Sequence, residues 1–84
     1  MPRVTVRYFA GARAAAGVTS EVLELPDGAR VSDALETVSL RHGDDLKRVL
    51  GASSFLLDAV AVHDLGAALP TGAELDVLPP FAGG

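Results

Sequence analysis

The sequence predicts an α+β roll, a mixed sheet with one main helix packed across one face. Three observations predict it. Alternating apolar segments stand near both ends of the chain, at residues 4–9 and 74–78. Between them, Ala34, Leu35 and Val38 fall at helical spacing. Pro26-Asp27-Gly28 and Pro70-Thr71-Gly72 punctuate the strand segments as turns.

Each element comes from its residues. Val4, Val6 and Tyr8 share one face of the first strand, and Thr5, Arg7 and Phe9 the other. Residues 11–17, closed by Gly17, hold one or two helical turns. Residues 21–25 form a second strand with Leu23 and Leu25 on one face. Ser32 opens the main helix, its hydroxyl accepting from free backbone N–H groups, and Asp33 sets negative charge at the positive helix end. Ala34, Leu35 and Val38 form its buried stripe, Val31 leads in, and Gly43 stops it. Leu46, Val49 and Leu50 predict a short second helix ending near Gly51. Residues 55–63 read as a third strand, with Val60 and Val62 on one face and Ala59, Ala61 and His63 on the other. In the last strand, Leu75 and Val77 oppose Asp76 and Leu78. Pro79 and Pro80 end it, because neither donates to a ladder.

The chain has 84 residues, enough for one small domain and no second. With 49% hydrophobic and 21% charged residues it is globular in composition. It has no cysteine, which excludes disulfides, thiolate metal sites and a cysteine nucleophile. No apolar run approaches the roughly 18 residues of a membrane span, and the N-terminal segment lacks a signal peptide's apolar stretch, so a cytoplasmic protein with no membrane partner is expected. Seven basic residues, only one of them Lys, stand against eleven acidic ones, for a net charge of −4. Nucleic acid is therefore not an expected partner.

The usual catalytic constellations are missing. His42 and His63 are the only histidines, and neither forms a metal-ligand spacing with Asp44, Asp45 or Asp64. Both read as solvated, and no metal is expected. Ser53-Ser54 has no base marked out beside it, and no phosphate-binding glycine loop is present. The chain is not expected to act as a catalyst alone.

The informative stretch is Leu78-Pro79-Pro80-Phe81-Ala82-Gly83-Gly84. At average glycine usage a Gly-Gly ending arises by chance in roughly 0.5% of chains, which favours a functional reading. Pro-Pro holds an extended backbone and projects the last four residues off the sheet. Two glycines remove Cβ bulk, so a narrow channel could admit the backbone and leave an unhindered carboxylate at Gly84. A carboxylate becomes electrophilic once adenylation by ATP converts an oxygen into a leaving group. A sulfur nucleophile attacking the acyl-adenylate leaves a thiocarboxylate. Residues 1–78 are expected to form the domain, and 79–84 an extended, flexible tail.

At these residues the chain resembles the MoaD/ThiS sulfur-carrier family of ubiquitin-like β-grasp proteins, and within it the small subunits of molybdopterin synthases. Three stretches carry the likeness: residues 6–13 with Phe9-Ala10 and Arg13; Leu69 to Gly72 with Glu74-Leu75; and Pro79-Pro80-Phe81-Ala82-Gly83-Gly84. The resemblance implies a β-grasp fold and activation of Gly84 by a ubiquitin-activating-like adenylyltransferase using ATP, with no permanently bound cofactor. It implies thiocarboxylation by a sulfurtransferase system. The tail, Pro79 to Gly84, then enters the large synthase subunit, in a heterotetramer, where sulfur passes to a pterin precursor. The chain departs from the family in His63, where Asn is common, in a short 64–70 stretch lacking a small extra strand, and in the bulk of Phe81.

The strand phases add a docking expectation. Phe9 and Leu78 fall on the face away from the helix, at the ends of strands that are neighbours in a β-grasp sheet, and would form an exposed apolar patch beside the tail. Arg13 resembles a recurring family arginine, and either pairs with a partner or is solvated. Three alternatives share parts of this reading: a carrier serving thiazole (thiamine) or cysteine synthesis, a ubiquitin-like protein modifier, and a plain β-grasp interaction module.

Overall fold

The computed structural model describes residues 2–80; Phe81, Ala82, Gly83 and Gly84, on which the tail expectations rest, lie outside the described residues. The elements run β1 (Arg3–Tyr8), α1 (Ala10–Ala16), β2 (Ser20–Glu24), α2 (Val31–His42), α3 (Asp44–Leu50), β3 (Ser54–Leu57), β4 (Val60–Ala61) and β5 (Glu74–Leu78). The five strands form one mixed sheet in the order β2-β1-β5-β3-β4. Its centre is the parallel pairing of the first and last strands, Thr5 opposite Glu74 through Tyr8 opposite Val77. The α+β class is as expected.

The alternation read from the sequence sets the two faces of this sheet. Val4, Val6 and Tyr8 of β1, Leu23 of β2, Leu75 and Val77 of β5 and Phe55 of β3 are buried toward the helices. Against them α2 buries Val31, Ala34 and Val38, while α3 buries Leu46. Each such aliphatic side chain contributes roughly 1.5–3 kcal/mol on burial. Leu35, expected in the buried stripe, is only partly buried at its edge.

Two element boundaries are corrected. The main helix does not open at Ser32. It begins at Val31, with Arg30 in extended conformation before it. The Arg30 N–H donates to Asp33 Oδ2 at 2.8 Å, and the Asp33 N–H donates back to the Arg30 carbonyl at 3.0 Å. The free N–H groups of Val31 and Ser32 donate to the carbonyls of Ala67 and Leu65 at 3.0 and 2.9 Å. A distant loop satisfies the helix start, so no serine cap is needed. The same loop makes a single bridge, Arg30 opposite Ala68, where the family resemblance suggested that an extra strand was missing.

Residues 55–63 are not one strand. The chain reverses at Asp58-Ala59, with φ of 48° and 68°, and β4 returns antiparallel to β3. Two left-handed residues between paired strands make a type I′ hairpin turn, which usually signals itself with Asn-Gly or Asp-Gly. Here alanine stands in the glycine place. The turn is held by β5: the Asp58 N–H donates to the Glu74 carbonyl, and the Glu74 N–H donates to Asp58 Oδ1, both at 2.9 Å.

A polar cluster ties the edge strand to α2. Glu21 lies opposite Val6, on the helix side of the sheet, and its side chain is 13% exposed. It accepts from the Tyr8 hydroxyl at 2.5 Å and from Arg41 Nη1 at 2.6 Å, and its Oε2 lies 2.5 Å from His42 Nε2. His42 is thus half-buried against a carboxylate, which corrects the solvated reading; His63 is exposed as expected. Burial and the hydrogen bond to Glu21 push the Tyr8 phenol well above its ordinary value. Burial alone raises Glu21, but the hydrogen bonds from Tyr8, His42 and Arg41 outweigh it and hold the carboxyl below its usual value.

The hairpin and the polar cluster are each open to a stability measurement. Ala59→Gly relieves the left-handed alanine and should raise stability by about 1 kcal/mol, a melting-temperature gain of roughly 4–8 °C. The stabilisation from Glu21 is complete above its unfolded value of about 4.3 and is lost as pH falls through the lower native value. Wild-type stability should therefore fall below about pH 4.3 more steeply than that of Glu21→Gln. Above that pH the variant should be less stable by about 1–3 kcal/mol, as read from urea midpoints across the acid range.

Candidate functional site

The site is built where β1 and β5 end side by side. Phe9 continues β1 in extended conformation (φ −128°, ψ 149°), and its N–H donates to the Val77 carbonyl at 3.1 Å. Tyr8 points into the core, so Phe9 points out. Ala10 then turns the chain into α1 with φ 51°, a left-handed conformation that costs an alanine on the order of 1 kcal/mol. Leu78, the last residue of β5, pairs with Ser54 and precedes Pro79-Pro80.

Phe9 and Leu78 therefore come together beside Pro79 and Pro80. They are half-buried rather than fully exposed, a difference with a clear cause. Both border an apolar groove of about 380 Å³ between α1 and α3, whose lining includes Val49, Ala52, Pro79 and Pro80. Residues of α1 and α3 in that lining, Ala10 to Ala12 and Arg48-Val49, shield one side of each. Arg13 is elsewhere. It stands exposed in the last turn of α1 and lines a separate hollow of about 520 Å³ with Val18 and Thr19. It makes no ion pair among the described residues.

The outer sheet face adds residues that the sequence reading did not join. Arg7 lies opposite Asp76, which lies opposite Leu56. Arg7 Nε and Nη2 donate to the two Asp76 oxygens at 2.6 and 2.9 Å, a bidentate pair. Asp76 is 6% exposed, and Arg7 packs its guanidinium 5.8 Å from the centre of the Phe9 ring. The hydrogen bond to Asp76 raises the Arg7 proton affinity above its ordinary value. Glu74 adds a looser contact at 3.6 Å. The alternation had put Arg7 with Phe9 and Asp76 with Leu78; the parallel register was the missing signal. Leu56, and Val22 opposite Thr5, add further apolar side chains to this face.

The arrangement sets an apolar groove beside Pro79 and Pro80. Among the described residues, no group of three or more metal-ligating side chains is found, and no helix is long and apolar enough to cross a membrane. The residues nearest the exit are apolar or paired, a surface suited to docking.

Residues 6–84 match the ThiS family. The chain belongs to the ThiS family. It is 35% identical to the molybdopterin synthase sulfur carrier subunit of Chlamydomonas reinhardtii over 83 residues, covering 98% of this chain and 99% of that one. A protein assigned as molybdopterin converting factor subunit 1, from Pyrococcus furiosus, superposes with a TM-score of 0.86 at 31% identity, covering 96% of this chain and 100% of the other. Small archaeal modifier protein 1 of Haloferax volcanii has a TM-score of 0.84 at 27% identity, over 96% and 100%. The fold is the ubiquitin-like β-grasp, as the resemblance implied.

Removing one partner of the Arg7–Asp76 pair tests the outer face. Asp76→Ala should lower stability by about 1.5–3 kcal/mol, measured by urea unfolding, because a charged bidentate hydrogen bond is lost and Arg7 is freed from Phe9.

Proposed function

We propose that this protein is the sulfur-carrier subunit of a molybdopterin synthase. The observation that carries the reading is the 35% identity to such a subunit over nearly the full length of both chains. The apolar exit at Phe9 and Leu78, followed by Pro79-Pro80 and the Gly83-Gly84 pair, is consistent with it.

In this reading the Gly84 carboxylate attacks the α-phosphorus of ATP within an adenylyltransferase, and pyrophosphate leaves. A sulfur nucleophile delivered by a sulfurtransferase adds to the acyl carbon, and AMP departs with the former carboxylate oxygen. The resulting thiocarboxylate is the sulfur donor. Two glycines let residues 83–84 thread a narrow channel. Phe9, Leu78 and Leu56 dock on the large subunit, and the Arg7–Asp76 pair holds Phe9 in place from beneath. The acid, base and pterin-binding groups belong to the large subunit. Arg13, set apart from this patch, serves a different contact or is solvated.

The likeness to a small archaeal modifier protein supports a second reading, in which the acyl-adenylate passes to a lysine amine instead of to sulfur. The two readings share the activation step and differ in the nucleophile.

Intact mass after incubation with ATP, an active adenylyltransferase and a sulfur donor separates them. The carrier reading expects one oxygen replaced by sulfur at Gly84, and no loading when a residue is appended after Gly84. Loading of the extended form would overturn it, and amide adducts would favour the modifier. Phe9→Asp and Leu78→Asp should each weaken binding to the large subunit about tenfold or more, read by calorimetry, with the fold retained.

A further inference from the structure

The sheet ends in two edges of different kinds. β4 is two residues long, too short to serve as a pairing template. β2 runs five residues, Ser20 to Glu24, in unbroken register with β1. It has no proline, lysine or bulge, the usual guards of an edge strand. The Tyr8 N–H donates to the Thr19 carbonyl at 2.9 Å, and the Leu25 N–H donates to the Pro2 carbonyl at 3.0 Å. The odd positions of β2 therefore bond to β1. The N–H and C=O groups of Ser20, Val22 and Glu24 point away from the sheet, and among the described residues no strand pairs with them. Val22 is 52% exposed beside them.

We propose that β2 pairs antiparallel with β2 of a second copy of this chain, about a two-fold axis at Val22, to give one ten-stranded sheet. The edge is self-complementary in that register. All five residues pair. On the outer face Val22 meets Val22, and Glu24 of each copy lies opposite Ser20 of the other, whose hydroxyl donates to it. Arg3 and Arg7 stand opposite Glu24 and Ser20 on β1, so each cross-strand row begins and ends on an arginine. No carboxylate opposes another. On the inner face Glu21 falls opposite Leu23 of the second copy, and its charge is already met by Arg41 and His42.

Neighbouring registers lose these features. An axis one residue to either side leaves three paired residues. Toward Ser20 it also sets Glu21 against Glu21, and toward Glu24 it sets Val22 against Glu24. Two five-residue edges bury less than the roughly 1,200 Å² of a standard interface, so the dimer is weak, with a dissociation constant of about 0.1–1 mM. The contact needs neither Phe9 nor Leu78, so it stands or falls apart from the sulfur-carrier reading.

The test is sedimentation equilibrium and NMR on the full chain, up to about 2 mM. The wild type should show a monomer–dimer equilibrium, and amide exchange at Ser20, Val22 and Glu24 should slow as concentration rises. Ser20→Glu sets like charges opposite each other at both symmetric pairs and should weaken association about tenfold or more. Its new carboxylate lies beside Arg7 on an exposed position, so the fold is kept. Mixing ¹⁵N-labelled Ser20→Glu with unlabelled Glu24→Lys faces that carboxylate with an ammonium group and should restore the concentration-dependent amide shifts. A wild type that stays monomeric at the highest concentration overturns the proposal. So does a dimer that Ser20→Glu leaves unchanged, or a mixture that fails to restore association. Oligomers that keep growing beyond the dimer also overturn it, because a two-fold pairing of edges closes at two copies.

Discussion

The parallel pairing of β1 with β5 is the constraint on which the rest of the structure depends. It joins the two ends of the sequence in the middle of the sheet. Parallel strands cannot be linked by a tight turn, so the whole intervening chain must cross over. That crossover carries the helices onto one face and the β3–β4 hairpin onto the far side. It also brings Phe9 and Leu78 to one end of the sheet, beside Pro79 and Pro80. Val4, Val6 and Tyr8 on β1 and Leu75 and Val77 on β5 bury the inner face of the same pairing.

Polar groups reinforce this pairing on both faces, with different consequences. Outside, Arg7 and Asp76 bridge the two central strands, and the guanidinium lies by Phe9. Inside, Glu21 gathers Tyr8, Arg41 and His42, so that edge strand β2 is tied to β1 and to the end of α2. A buried carboxylate with three partners is stabilising only while it is ionised, which couples this end of the fold to acidity. In the outer pair Asp76 is buried and only Arg7 is half open to solvent, so the pair both stabilises the central strands and fixes the guanidinium beside Phe9.

Strain is placed at two corners. Ala10 takes a left-handed conformation so that Phe9 stays on the sheet while the next residue begins a helix. Ala59 does so at a hairpin turn that Asp58 anchors to β5. In both cases the neighbouring strands over-determine the backbone, and the local cost is offset by pairing.

The sequence alone determined the α+β class, the inner faces of β1 and β5, two of the three helices closely, and the resemblance to the sulfur-carrier family. These are properties of periodicity and of local chemistry, carried by residues a few positions apart. Tertiary structure decided the rest. The start of α2 moved from Ser32 to Val31 because carbonyls of residues 65 and 67, more than thirty positions away, accept its free N–H groups. The third strand split at Asp58-Ala59 because contacts to Glu74 hold a turn that lacks its customary glycine. The pairing of Arg7 with Asp76, the burial of His42 against Glu21, and the groove beside Phe9 all depend on strand register and helix placement. Such contacts join residues whose distance along the chain carries no signal of their distance in space.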